Sequence, residues 1–262
     1  MTAIEATQLS PRSLTAFEAL VRERLGLAIG RAPDLVARKL WSTALGAGLV
    51  AVNREAWVTT LGNAPLHSRC WSALADIVPN HETSFFRDVD QLQHAVEKLP
   101  CGTTEVRMLS VGCSSGEEVY SLAMLLHGQL DALWGRRAEV WGVDVSPAAL
   151  ARARRGFISS SAVNRAGAGP EGWRTRFLRA AADGFMVRDH IRERTRFHEA
   201  NLAMPATLAV VGQFDVVLCR NVLIHFEQTA AVNAVKALRA LVKPGGTLIL
   251  GAAEAPLLGG ER

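Results

Sequence analysis

The stretch SVGCSSGEEVYSLA, residues 110–123, supports two incompatible readings. Gly112, Cys113, Ser114, Ser115 and Gly116 spell G-x-S-x-G, the sharp elbow that presents a nucleophilic serine in α/β-hydrolases. The same five residues make a glycine-rich turn between an apolar run and an acidic helix start, an arrangement that lets backbone approach a nucleotide cofactor closely. The flanking sequence decides between them.

Immediately upstream, VRMLSVG (106–112) is a short, largely apolar strand, and downstream EEVYSLAMLLHGQL has the length and composition of a helix. The unit then repeats. EVWGVDV (139–145) is a second strand, and SPAALARARRG follows it with Ser146 and Pro147 as N-cap and first-turn pair. TRFHEANL (195–202) and FDVVLCRN (214–221) read as third and fourth strands. TAAVNAVKALRALV reads as a helix closed by KPGG, ahead of a fifth strand in TLILGAAE. Strands alternating with helices imply an open, mainly parallel sheet covered on both faces.

Before residue 100 the periodicity is helical. Leu14, Phe17, Leu20, Val21 and Leu25 share one face of a first helix, which Gly26 and Gly30 punctuate. Three shorter amphipathic pieces follow: PDLVARKLWSTAL with Pro33 in its first turn, REAWVTTL, and HSRCWSALADIV ahead of Pro79. This predicts a small helical unit.

A hydrolase triad needs an acid and a histidine after the serine. Asp215 and His225 stand in that order, but Asp215 opens the fourth strand. In a parallel sheet that places it at the end away from Ser114, and no H-G-G oxyanion segment precedes the serine. The turn also lacks G-K-[ST] and does not grip a triphosphate. Asp144 ends the second strand, where a carboxylate can accept two ribose hydroxyls. Glu117 and Glu118 suit the positive end of a helix dipole, yet they would repel a pyrophosphate there. A positively charged cofactor with a ribose and no phosphate satisfies all of these residues. S-adenosylmethionine is such a molecule, and Ser114 is then small so that it fits.

Composition bounds the remaining possibilities. With 262 residues, 49% hydrophobic and 21% charged, the chain is globular rather than disordered. Its N-terminus lacks a signal-peptide layout, and apolar runs such as LGAGLVAV (45–52) are too short to span a bilayer. Cys70, Cys101, Cys113 and Cys219 have no C-x-x-C spacing, so neither a zinc site nor a disulfide scaffold is indicated. The expectation is a cytoplasmic, reduced, metal-free protein. The net charge is +4, but residues 146–200 alone hold eleven arginines against five acids, a local excess of +6. That stretch carries few aromatics and matches no nucleic-acid module. It reads as a solvated face or as a docking surface for an acidic protein.

The segments NHETSFFRD (80–88), GCSSGEEVYSLAM (112–124), VDVSPAALARAR (143–154), ANL (200–202), FDVVLCRNVLIHF (214–226) and LVKPGGTLILGAAE (241–254) occur in that order. Together they resemble the CheR family of chemoreceptor glutamate methyltransferases, from about residue 77 onward. The resemblance implies an α/β fold: a Rossmann-like class I methyltransferase sheet with a small N-terminal all-helical domain. It divides the chain into a helical domain at 1–79 and a methyltransferase domain at 80–262. A small β-subdomain is expected around 174–192, built on the hairpin candidate RFLRAAADGFMVRD (176–189). Such a sheet normally gains an antiparallel hairpin after its fifth strand, so further chain, with further domains, is expected beyond Arg262.

The implied activity is a protein-glutamate O-methyltransferase that uses S-adenosylmethionine, releases S-adenosylhomocysteine and acts on the cytoplasmic domain of a chemoreceptor. The alternative is a degenerate module that binds receptor or cofactor without catalysis. By the same resemblance Thr83 and Arg87 close over the cofactor, with Arg87 pairing its carboxylate. Glu117 meets the amino or sulfonium side, and Asp144 the ribose. Asn201 and Leu202 frame the adenine, while Arg220 and Asn221 sit beside the methionyl group. Phe85 and Phe86 read as packing anchors, and Cys113 and Cys219 as small buried thiols. The chain departs from the family at His81, where asparagine is usual, and at His225, where tyrosine is usual. Its first unit keeps Arg38 and Lys39 but is neutral through WSTALGAGLV, where further basic residues are usual.

Overall fold

The computed structural model describes residues 9–29, 36–37, 39, 41–42, 54–65, 68–77, 82–100, 105–130 and 137–258. Gly30, Pro33, Arg38, residues 43–50, Pro79, His81 and Cys101 lie outside the described residues.

Runs of β-branched and apolar residues build the central sheet. Its strands are β1 (Glu105–Val111), β2 (Arg137–Asp144), β6 (Thr195–Glu199), β7 (Phe214–Cys219) and β8 (Val242–Leu250), in the spatial order β6-β2-β1-β7-β8. Every pairing is parallel. All six residues of β7 are buried, as expected for a strand covered on both faces. The order reverses between β1 and β7, and this opens a crevice outside their C-terminal ends. The structure thus has the Rossmann-like parallel sheet implied by the alternating pattern, with helices preceding it in the chain.

A second, antiparallel sheet joins β3 (Phe157–Ser159), β4 (Leu178–Ala181) and β5 (Gly184–Val187) in the order β3-β5-β4. It lies between β2 and β6 in the chain and carries one of the exposed arginines, Arg179.

Helix boundaries follow local chemistry. Helix α1 (Pro11–Leu25) starts behind Ser10, whose hydroxyl accepts the Ser13 N–H, and stops at Gly26 in the left-handed region (φ 71°). Its apolar face packs Phe17, Val21 and Leu25 against Trp57 and Leu61 of α2 (Arg54–Asn63) and Trp71 and Leu74 of α3 (Arg69–Ile77). The Trp71 indole donates to Leu61 O at 3.1 Å, whereas the equally buried Trp57 indole N–H in the same core has no hydrogen-bond partner among the described residues. Downstream lie α4 (Val89–Glu97), α5 (Glu117–Leu130), α6 (Pro147–Arg155) and α7 (Gln228–Ala240). Ser146 caps α6 through the Ala149 N–H, as its Ser-Pro sequence predicts, and its hydroxyl also bonds Asp76 of α3. That contact fixes the helical unit against the sheet.

One boundary differs from the sequence reading. KPGG does not close a helix; it lies inside β8. The partner register jumps between Phe214 opposite Val242 and Val216 opposite Thr247, so the strand bulges there. Gly245 (φ 79°) takes the turn of the bulge, and a Cβ on Gly246 would stand 2.6 Å from Asp215 O. The glycines serve close strand approach rather than a helix stop.

Among the described residues no helix is long and apolar enough to cross a membrane, and no group of three metal-ligating side chains occurs.

Candidate functional site

The glycine turn behind β1 is built by its neighbours. The N–H groups of Gly112 and Cys113 both donate to Val143 O, at 2.8 and 3.0 Å, which folds the turn over the end of β2. Gly112 has φ 72°, and a Cβ there would overlap Val222. Ser114 itself takes a left-handed conformation, φ 50°. Its N–H donates to Asp144 Oδ2 at 2.8 Å, while Asp144 Oδ1 accepts the Ser146 N–H at 2.9 Å. Two backbone donors therefore fix the orientation of a buried carboxylate at the mouth of the crevice.

On the other side of the switch point, Arg220 follows β7 with only 1% of its side chain exposed. Its Nε donates to Gln91 Oε1 (2.8 Å), Nη1 to Glu118 Oε2 (2.8 Å), and Nη2 to Asp88 Oδ2 (2.8 Å) and Arg87 O (2.9 Å). The guanidinium is a cross-link joining β7, α5 and the start of α4. Glu118 also accepts the Ser110 hydroxyl at 2.9 Å. Burial pushes the Glu118 carboxyl upward, with the Arg220 charge working against the rise.

Glu82 to Arg87 close the crevice from above. Phe85 and Phe86 are fully buried, with ring centroids 5.4 and 5.0 Å from Trp173. The Phe86 N–H donates to the Ser121 hydroxyl at 2.9 Å, and Phe85 O accepts the Gly167 N–H at 2.7 Å. The two rings anchor the segment as its sequence suggests. Arg87 is exposed and donates through Nη1 to Glu82 O at 3.3 Å.

The helical unit supplies the remaining wall. Asn201 donates through Nδ2 to Arg24 O at 2.6 Å and accepts the Ala203 N–H on Oδ1 at 2.9 Å. Leu27 bridges Phe226 in antiparallel fashion, with Ala28 N–H on His225 O at 2.8 Å and Glu227 N–H on Gly26 O at 3.1 Å. Leu25, Leu27 and Phe226 thereby face the crevice. Nothing in their own sequence context signals this, because the contact joins segments about 200 residues apart.

These walls enclose a cleft of about 990 Å³, counting its solvent-open side. Thr83, Arg87, Asp144 and Asn201 line it, as do Leu202, Arg220 and Asn221. Glu117 does not; Glu118 takes its place. Consecutive helix residues point about 100° apart, so only one of the pair can face the cleft. Glu117 is buried beside it, accepting the Ser115 hydroxyl at 2.8 Å. Burial raises its carboxyl, opposed by that hydrogen bond and by Arg152 and Arg165. A different carboxylate from the one expected therefore reaches the cleft.

Ser114 and His225 share the cleft, but no hydrolase triad forms with the Asp215 that the sequence offered. Asp215 sits at the start of β7 and accepts the Arg107 N–H (2.8 Å) and Lys243 Nζ (2.9 Å). Cys113 and Cys219 are buried, and burial lifts both thiols well above their usual range.

Residues 81–257 match the family described as CheR methyltransferase, SAM binding domain. The chain is 33% identical over 250 residues to a probable biofilm formation methyltransferase, WspC, of Pseudomonas aeruginosa, covering 92% of this chain and 57% of that protein. It is 32% identical over 189 residues to chemotaxis protein methyltransferase 2 of Vibrio cholerae, with 70% and 65% covered. Against the chemotaxis protein methyltransferase of Escherichia coli it is 27% identical over 254 residues, with 95% and 86% covered. The chain thus spans little more than half the length of the WspC relative.

Proposed function

The chain belongs to the CheR methyltransferase family, and on that premise we propose that it is an S-adenosylmethionine-dependent protein-glutamate O-methyltransferase whose substrate is the cytoplasmic domain of a chemoreceptor. The observation that carries the reading is the Asp144 carboxylate, held by Ser114 and Ser146 N–H groups beside a glycine turn whose helix opens with acids. That set suits a cationic nucleoside: acceptors for ribose hydroxyls, backbone free of side-chain bulk, and negative rather than phosphate-binding charge.

In this reading Asp144 accepts the ribose hydroxyls. Asn201 and Leu202 border the adenine, and Arg87 pairs with the methionyl carboxylate as a charge-assisted bond. Thr83 closes the same end. Asn221 lies beside the methionyl group, and Arg220 holds the surrounding segments in place through its four bonds. Glu118, paired with Arg220, and Asp144 supply the acidic lining on the side a cation would occupy. When bound, the cofactor supplies an electrophilic methyl on a sulfonium that carries its own leaving group.

A glutamate side chain is already ionised at pH 7, so the protein needs no general base. Its work is alignment of the two reactants and placement of charge, the effects that dominate such transfers. The same reading treats 1–79 as a helical domain and 80–262 as the methyltransferase domain. The β4–β5 hairpin then lies within the subdomain expected around 174–192, to which β3 (Phe157–Ser159) adds a third strand from outside those bounds, and the reaction takes place in the cytoplasm.

The test pairs calorimetry with transfer. S-adenosylhomocysteine should bind at about one site per chain, and methyl-labelled cofactor should label chemoreceptor cytoplasmic fragments with base-labile, methanol-releasing esters. Binding without transfer would leave a non-catalytic module, base-stable label would rule out O-methylation, and absence of binding would overturn the cofactor assignment.

A further inference from the structure

After β8 the chain turns at Gly251 and brings Glu254, 1% exposed, beneath the loop that follows β7. Its Oε1 accepts the N–H groups of Val222 (2.7 Å) and Leu223 (2.6 Å); its Oε2 accepts those of Asn221 (2.9 Å) and Gly251 (3.0 Å). Converging backbone N–H groups form a concavity that suits an anion, and here the anion is the protein's own side chain. The loop it holds turns sharply. Asn221 has φ 58°, a left-handed conformation that asparagine tolerates better than most non-glycine residues.

Asn221 and Val222 also line the cleft, and Val222 fills the space that Gly112 leaves. The loop is thus pinned from two directions: Arg220 ties it to α5 and the start of α4, and Glu254 gathers its N–H groups from below. We propose that Glu254 is a positioning residue, fixing the Arg220–Leu223 loop as a wall of the cleft and thereby setting its affinity for the nucleoside ligand without touching that ligand. This rests on the reading of the cleft as the S-adenosylmethionine site.

Glu254→Gln tests it, because the amide keeps the shape but turns one acceptor into a donor facing N–H groups. Asp215→Asn is the matched comparison. Asp215 is a second buried carboxylate (6% exposed) with a backbone and a lysine donor, at the opposite end of the sheet. Both variants should lower the Tm. Only Glu254→Gln should weaken S-adenosylhomocysteine binding at least tenfold by calorimetry and raise the KM for S-adenosylmethionine more than it lowers kcat. Asp215→Asn should keep the affinity within twofold.

Equal affinity losses in the two variants, or wild-type affinity in Glu254→Gln, would overturn the proposal. If Glu254→Gln does not fold, Glu254→Asp retains the charge one carbon further back. It should show a smaller loss of the same kind, and wild-type binding by it would equally overturn the proposal. A wild-type chain that fails to bind S-adenosylhomocysteine would instead bring down the cofactor reading on which this one rests.

Discussion

Replacing Asp144 by alanine separates two consequences that the structure ties to one side chain. The carboxylate holds the Ser114 and Ser146 N–H groups at 2.8 and 2.9 Å in a site where the residue is only 7% exposed. Without it both donors stay buried with no acceptor, at about 1–3 kcal/mol each. The Tm should fall, and the turn at Ser114, already at φ 50°, should loosen. Separately, the ribose loses a charge-assisted acceptor worth about 1.5–3 kcal/mol, or about 10- to 150-fold in affinity. Calorimetric titration with S-adenosylhomocysteine measures the second effect at a temperature where thermal unfolding shows the variant still folded. Asp144→Asn should lie between, since its amide retains one acceptor oxygen. If Asp144→Ala stays folded and binds within twofold of wild type, the carboxylate does not hold the ribose and the orientation assigned to the ligand is wrong.

Ser114→Ala should leave S-adenosylhomocysteine affinity within a few-fold, because Ser114 meets Asp144 through its backbone N–H; esterase activity on a simple ester that this change abolishes would restore the hydrolase reading. Arg155, in the last turn of α6, and Arg179, on β4, are both exposed. Reversing both to glutamate should slow methylation of acidic receptor fragments and reduce its salt dependence without altering ligand affinity. Rates indifferent to both salt and charge reversal would make the arginine surface a solvated face. Burial lifts the Glu117 carboxyl above its ordinary 4.5, so the folded chain holds that proton more tightly than the unfolded one. The group's stabilising contribution is therefore complete below the unfolded value and lost as pH rises through the folded value. Glu117→Gln should remove that loss, and urea unfolding from pH 4.5 to 7 should show the variant gaining stability relative to wild type; parallel curves would contradict it.

Local chemistry made much of the framework legible. Alternating apolar runs and helical periods announced the parallel sheet, Ser146 and Pro147 announced the start of α6, and Asp144 had to end β2. Periodicity, capping and turn preference act over a few residues, so they can be read from a few residues. What faces the cleft is set by contacts of much longer range. Glu118 rather than Glu117 turns inward because Arg220, 102 residues away, meets it at 2.8 Å. Asn201 commits its amide to Arg24 O, 177 residues earlier, and so draws α1 into the wall. KPGG looked like a helix stop because its glycines permit many backbones; pairing with β7 selected the bulge. Glu254 resembles an ordinary acid after a strand until the fold sets four N–H groups around it. The sequence alone determined the order of the five parallel strands and the helices α5, α6 and α7 between them, since those obey nearest-neighbour rules, while α4 and the short β3 carried no such signal. The tertiary structure decided which polar groups are buried together, because a buried charge must find its partners wherever in the chain they lie.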